Sequence, residues 1–288
     1  MRLTARVPAT SANLGPGFDA LAIALDLCNE VTIESASTAS VSWEGEAEGT
    51  LPRDGSDLAS VAFRSVFEEA GKEPPVFSLH GVNRIPVERG LDSSAAAVVA
   101  GVAVAFAFLD RELEPDAMAP FTDAFESHHD NVAAALRGAL TIAYSHADGW
   151  SAARLEAHPD LRPVVLVPEV RLSTSLAREA LPAVVPLADA AFDAGRAALV
   201  VHALTVAPSL LRVALEDRLH QQVRLELLPE VRDVFEKVRS DGVPVCVSGA
   251  GPSLLAFESE ERSVPDPGGS WRSLRIPVRS AGVEVTSA

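Results

Sequence analysis

The stretch RGLDSSAAAVVAG, residues 89–101, decides how the chain is read. Gly90 permits close backbone approach, Ser93 and Ser94 supply hydroxyls, and an uncharged apolar run continues to Leu109. A helix apolar on nearly every face belongs in the middle of a domain, not on its surface. Its free N–H groups and positive dipole end would point at the glycine-serine turn, as helix starts do where they hold anions. Asp92, however, puts a carboxylate in that turn, and Asp92 or Ser93 is also an ordinary helix N-cap. Taken alone, the segment reads as well as a cap.

The rest of the chain narrows the choice. With 288 residues, 48% of them hydrophobic, it is long enough for one large domain or two ordinary ones. The formal charge is −16, spread along the chain, which argues against a nucleic-acid-binding surface. Only Lys72 and Lys237 are lysines and neither lies near a glycine-rich loop, which removes the Walker A loop with its GK[ST]. Cys28 and Cys246 lack CxxC or Cys/His spacing and read as reduced, structural thiols. MRLTARVPATSAN has neither an apolar h-region nor a cleavage site, so a cytoplasmic location is expected. The longest apolar run falls short of the ~20 residues that span a bilayer, so no membrane partner is expected.

Outward from the decisive stretch, LTARVPATS and VFSLHGVNRIPVE alternate as strands do, and LASVAFRSVFEEAG carries helical spacing with a glycine at its C-terminal end. VSWEGEAEGTLPRDGSD reads as a polar connection, DAMAPFTDAFES as a helix, HHDNVAAALRG as a loop with a short helix, and ALTIAY as a strand. HADGWSAARLEAHPDLR turns polar before the strand VVLVPE, which puts a domain boundary near residue 155. Helices follow at STSLAREALP, LADAAFDAGRAALVVHAL and LPEVRDVFEKVRSDG, then strand, loop and strand over VPVCVSGAGPSLLAF, and a last strand after SVPDPGGSWRS.

Four segments concentrate small and polar residues. PATSANLGPGFD fixes Asn13 and Asp19 between two glycines and two prolines. GLDSSAAAV is the second. In ESHHDN, Glu126 together with a serine hydroxyl from the second segment suits Mg²⁺, whereas adjacent His128 and His129 cannot form the i, i+4 pair of helical zinc sites. VSGAGPSLLAF places two glycines and two serines between apolar strands, where backbone can approach a ligand. A hydrolase using Ser94 and His128 is disfavoured by the lack of a GxSxG elbow.

In this order and at these separations, PATSANLGPGFD, the GL-SSAAA loop, HxDNVA and SGAGPS resemble the GHMP small-molecule kinases, in their homoserine-kinase branch. STSLAREALP, VPLADAAF and EDRLHQQVR…LLP extend the resemblance from about residue 3 to 285. It implies an α+β fold of α/β sandwich type in two domains, an ATP-binding part over 1–155 with a left-handed crossover and a C-terminal part over 156–288, with the active site between them. It implies ATP-dependent phosphorylation of L-homoserine to O-phosphohomoserine on the way to threonine, with Mg²⁺, in a homodimer.

By the same resemblance, Asn13, Asp19 and Asn131 would meet the amino and hydroxyl end of homoserine, and Arg178 and Arg224 would clamp its carboxylate with their planar forks. Asn13, Asp19, Asn131 and Arg178 are the expected catalytic set. His128, Thr174 and Gly251 would border the substrate. Arg89, Gly90, Leu91, Asp92, Ser93, Ser94, Ala95 and Ala96 would carry the nucleotide, and Ser94 and Glu126 the metal. An amino acid's carboxylate explains two arginines better than mevalonate or a sugar does.

The chain departs from the family at a few positions. Asp92 stands where the family loop has glycine, Ser127 and His129 replace glycine and proline, and RGAL replaces GGL. Unit charges ~4 Å apart repel by about 4 kcal/mol at an effective dielectric near 20, and a third of that weakens binding about tenfold. The alternative expectation is therefore an impaired relative that keeps the fold and substrate pocket but binds ATP poorly.

Overall fold

The computed structural model describes residues 1–126, 128–147 and 149–287. Its first sheet is built on two long strands, β1 (Arg2–Ala12) and β2 (Leu21–Ser35), paired antiparallel with a register shift between Pro8 and Ala9. On its other edge β2 divides. Glu30–Ser35 pairs with β4 (Phe77–Asn83), and Leu21–Ile23 pairs with β5 (Leu140–His146). β3 (Ser40–Gly45) runs parallel to β4, and the chain between them passes through α1 (Leu58–Glu69). β6 (Gly149–Leu155) adds to β5.

Three helices cover this sheet: α1, α2 (Ser93–Phe108) and α4 (His129–Arg137), with the single turn α3 (Pro115–Met118) between the last two. α2 is apolar all round because it has neighbours all round. It packs on β1 and β2 and is flanked by α1 and α4, and Ala95, Val98, Val99, Val102 and Phe106 are all buried. Gly101 lets it meet α1 closely, since a Cβ there would stand 2.3 Å from the Ala59 carbonyl oxygen. Gly71, φ 65°, ends α1 in the left-handed conformation that the sequence suggested.

The second sheet has the order β10 (Trp271–Arg275), β7 (Arg162–Pro168), β9 (Leu254–Glu258), β8 (Val245–Val247), all antiparallel. α5 (Thr174–Glu179), α6 (Leu187–Thr205), α7 (Leu211–Ala214), α8 (Gln221–Leu227) and α9 (Pro229–Ser240) accompany it. α9 buries Val231, Phe235 and Val238 against Val164, Leu166 and Leu254 of the sheet. Finally β11 (Glu284–Ser287) returns to pair with β1, so a cut at residue 155 would separate it from the sheet it completes. The main core likewise mixes both halves, with Val165, Val200, Leu204 and Leu255 joining Ile23, Phe63 and Leu91.

Several local readings differ from the sequence; SVPDPGGSWRS, read as a loop, already starts β10 at Trp271, and β11 follows as a further strand. Ser40–Gly45, which overlaps the start of the stretch read as a polar connection, is strand β3. Gly149–Leu155 is strand β6 despite its polarity, because it lies at a sheet edge and buries only Ala152. Among the described residues of DAMAPFTDAFES, the only helical elements are α3 and a 3₁₀ turn over Ala119–Thr122. Cys28 and Cys246 are free and buried.

Candidate active site

At the end of β1 the backbone turns through Asn13, Leu14 and Gly15 at φ 69°, 47° and 70°, and again at Asp19, φ 54°. Left-handed non-glycine residues cost about 1 kcal/mol or more each and persist where surroundings impose them. Here Asn13 supplies the constraint. Its Oδ1 accepts from the Asp19 N–H at 3.0 Å, and its Nδ2 donates to the Gly249 carbonyl at 2.9 Å. Leu14 is anchored in the core with no exposed surface.

The glycine-serine turn is fastened to the same Gly249 region. Ser248 Oγ donates to the Gly90 carbonyl at 2.7 Å, so Ser11, 2.8 Å away, donates in turn to Ser248. A Cβ on Gly90, φ 69°, would stand 2.2 Å from the Ser248 carbonyl oxygen, which makes glycine obligatory there. Asp92 then takes φ 54°, ψ 54°, and caps α2. Its Oδ1 accepts from the Ala95 N–H at 3.4 Å and from the Ser94 hydroxyl at 3.0 Å. A carboxylate of the chain thus occupies the helix start that would otherwise face an anion. Burial raises its pKa, against the pull of those two hydrogen bonds.

Glu126 shares this end of the cleft, its pKa pushed up to about 7 by burial and then by the charge of Asp92. Deeper lies Asp130, only 2% exposed, also pushed up to about 7, chiefly by burial, while accepting the Asn131 N–H at 2.8 Å. Asn131 Oδ1 accepts from the Thr10 hydroxyl at 2.8 Å.

The opposite end is cationic. Arg178 forms a two-pronged ion pair with Asp19, at 2.8 and 2.7 Å. Arg224 is buried, donates to the Gly249 carbonyl at 2.7 Å, and has its pKa lowered to about 10 by burial, so it stays charged near neutrality. Both guanidinium carbons lie 5.5 Å from the Phe18 ring centre. Between the two ends is a cleft of about 340 Å³. It is lined by Asn13 and Asp19 on one side, Gly90, Asp92, Ser93, Ser94, Glu126, His128, Asp130 and Asn131 on another, and Thr174, Arg224 and Gly249 on a third.

This geometry has relatives. The family model of the GHMP kinases N terminal domain matches residues 57–139, the segment from the start of α1 to the end of α4. A homoserine kinase of Streptomyces avermitilis is 42% identical over 287 residues, 97% of this chain and 94% of its own length. The chain belongs to the homoserine kinases of the GHMP kinase family. A further homoserine kinase, from Clavibacter michiganensis, is 43% identical over 90% of this chain and 83% of its own. The solved structure of a homoserine kinase from Cytophaga hutchinsonii superposes with a TM-score of 0.87 at 26% identity, covering 99% of this chain and 97% of that one.

Within this homoserine-kinase fold, twelve of the residues expected at the site line one cleft: Asn13, Asp19, Arg89, Gly90, Asp92, Ser93, Ser94, Glu126, His128, Asn131, Thr174 and Arg224. Others stand differently. Arg178 reaches the cleft through Asp19, from a half-exposed position. Gly251 lies just past the lining residues Gly249 and Ala250, in a turn closed by its N–H to the Ser248 carbonyl at 2.8 Å. Leu91, Ala95 and Ala96 have buried side chains in the core, leaving only their backbone to a nucleotide. The Arg89 guanidinium is tied to the carbonyls of Pro168, Glu169 and Val87, and Ser93 Oγ donates to Asn83 at 3.1 Å.

His129, in the place of the family's proline, stacks on Trp150 with centres 4.6 Å apart and lies 3.5 Å from Asp123, which also takes the Trp150 indole N–H at 2.7 Å. Ser127 lies outside the described residues. Among the residues of the site not singled out from sequence are Asp130, in the cleft wall, and His220, behind Arg224. The signal for the second was its i, i+4 spacing before Arg224.

Proposed function

We propose that the chain transfers the γ-phosphate of ATP to the side-chain hydroxyl of L-homoserine. The hydroxyl oxygen bonds to the γ-phosphorus as its bond to the bridging oxygen of ADP breaks, and the hydroxyl proton ends in solvent. The observation that carries this reading is the Asp19–Arg178 ion pair beside buried Arg224. A free zwitterion offers a carboxylate and an ammonium at the spacing of one α-carbon, and can exchange into that pair. Its carboxylate would take Arg178 and Arg224, and its ammonium would take Asp19, with Asp130 behind it. The hydroxyl then lies toward Asn13, Asn131 and the start of α2.

Catalysis on this reading is positioning and charge stabilisation, since a loose phosphoryl-transfer transition state asks little covalent work of the protein. Ser94 and Glu126 are both hard oxygen donors facing the cleft, a set that suits Mg²⁺. When bound there, the ion would neutralise charge on the phosphates. Asp19, Asn131, Arg178 and Arg224 are in place for substrate, and Asp92 is satisfied as a cap, so its carboxylate would weaken ATP binding without removing the reaction. A cytoplasmic location and a homodimer go with this reading through the family alone.

The test compares L-homoserine with 4-hydroxybutyrate, which lacks the ammonium, and 3-amino-1-propanol, which lacks the carboxylate. Each truncation should lower kcat/KM by about 100-fold or more, because it leaves a charged group of the cleft unpaired. Equal use of all three would refute the zwitterion seat.

A further inference from the structure

Arg224 is held where it is by a neighbour one helical turn earlier. His220, at the start of α8, is 1% exposed. Its Nδ1 lies 2.9 Å from Arg224 Nη1 and its Nε2 lies 2.8 Å from the Gly15 carbonyl. A guanidinium can only donate and a carbonyl can only accept, so both contacts are hydrogen bonds in one form alone, the neutral imidazole with its proton on Nε2. Arg224 Nη1 also donates to the Gly249 carbonyl at 2.7 Å, and Asn13 Nδ2 donates to that same oxygen at 2.9 Å. His220 therefore joins the first substrate loop to the arginine that the Gly249 loop also grips.

The ring has little freedom to leave this arrangement. It stacks on Phe18, with centres 5.1 Å apart and 29° between planes. Asp217 fixes the turn before it, its carboxylate accepting from the N–H groups of Leu219, His220 and Gln221 at 3.1, 3.0 and 2.7 Å. Gly15 is pressed on the same turn, where a Cβ would stand 2.7 Å from the Leu215 carbonyl oxygen. Burial lowers the His220 pKa to about 4, against the carboxylates of Asp217 and Asp19 and in concert with the charge of Arg224.

We propose that His220 is a positioning residue for the substrate carboxylate: its Nδ1 accepts from Arg224 and its Nε2–H ties the Gly15 loop to that arginine. Without the acceptor, Arg224 keeps its charge but loses the bond that orients its fork, and the loop bearing Asp19 loses its link to α8.

Two variants of similar size separate this role from packing. His220→Gln keeps one donor and one acceptor, and His220→Met keeps neither. The Met variant should raise the homoserine KM about tenfold or more, the worth of a hydrogen bond to a charged group, with ATP KM and kcat within about threefold of the parent. The Gln variant should stay within about threefold on all constants. An unchanged homoserine KM in the Met variant would overturn the proposal. So would a parallel rise of both KM values with a lower Tm, or a Gln variant as defective as Met.

These kinetic arms rest on the homoserine-kinase reading; a second measurement does not, and it needs no variant. ¹⁵N NMR of the histidine rings in the parent protein should show His220 as the neutral Nε2–H tautomer from pH 6 to 8. An Nδ1–H tautomer or an imidazolium at pH 7 would overturn the assignment whatever the enzyme phosphorylates.

Discussion

Asp92 is the residue at which the chain departs most from its family loop, and its two energetic effects nearly cancel. A left-handed aspartate costs about 1 kcal/mol, and an aspartate N-cap contributes about as much. Asp92→Gly should therefore change stability by less than about 1 kcal/mol while clearing a carboxylate from the phosphate end of the cleft. The ATP KM is expected to fall about three- to tenfold in steady-state assays, with the homoserine KM unmoved. An unchanged ATP KM would mean that the carboxylate lies out of reach of the phosphates. Asp130 gives a second residue-scale expectation. Its pKa is raised to about 7, and an ammonium binds the ionised form, so the homoserine KM should fall as pH rises from about 6 to 8. Asp130→Asn should flatten that dependence, which initial-rate measurements across the range would reveal. Asp130 was legible as part of HHDN but not as a buried group, because depth in a cleft has no local sequence signal.

At the scale of elements, α2 could be read in the sequence because nothing competes with its pattern: an apolar run closed on every side by other elements. Gly101 shows how tight that closure is. Gly101→Val would drive a side chain into the backbone of α1 and should cost at least about 3 kcal/mol, lowering Tm by roughly 6–12 °C in a thermal melt. A melt within 2 °C of the parent would contradict the close contact. Strands β3 and β6 were hidden for the opposite reason. β3 alternates only over Ser40–Glu44, with Val41 and Trp43 turned inward, too short a run to stand out from its polar surroundings, and β6 buries Ala152 alone, so pairing with β4 and β5 is what makes them strands. The loops of the site were legible through their glycines and small polar residues. The bonds that knit them, Ser11 to Ser248 and Asn13 to Gly249, join residues more than two hundred positions apart and leave no local trace.

For the whole molecule, the return of β11 to β1 is the feature that local reading could least supply, since a four-residue strand gains its meaning only from its partner. The buried carboxyls set a pH dependence of the same global kind. Glu126, Asp130 and Asp193 each have a pKa raised to about 7, first by burial, so between about pH 4 and 7 the folded state binds more protons than the unfolded. Their stabilising effect is complete below the unfolded values and is lost as pH rises through about 7. His220 opposes them, its pKa lowered to about 4, and removes stability as pH falls below about 6.5. With these three groups, and Asp92 raised in the same direction, against one, Tm should be higher at pH 6 than at pH 8 in the absence of ligands, and calorimetry at the two values would show it. The zwitterion seat, the helix start and the cleft between them converge on one reaction, and the most direct test is ³¹P NMR of the protein with ATP, Mg²⁺ and L-homoserine. The expected result is a new phosphomonoester resonance growing in step with ADP and dependent on homoserine. ADP formed only with free phosphate, or no turnover at all, would contradict the account.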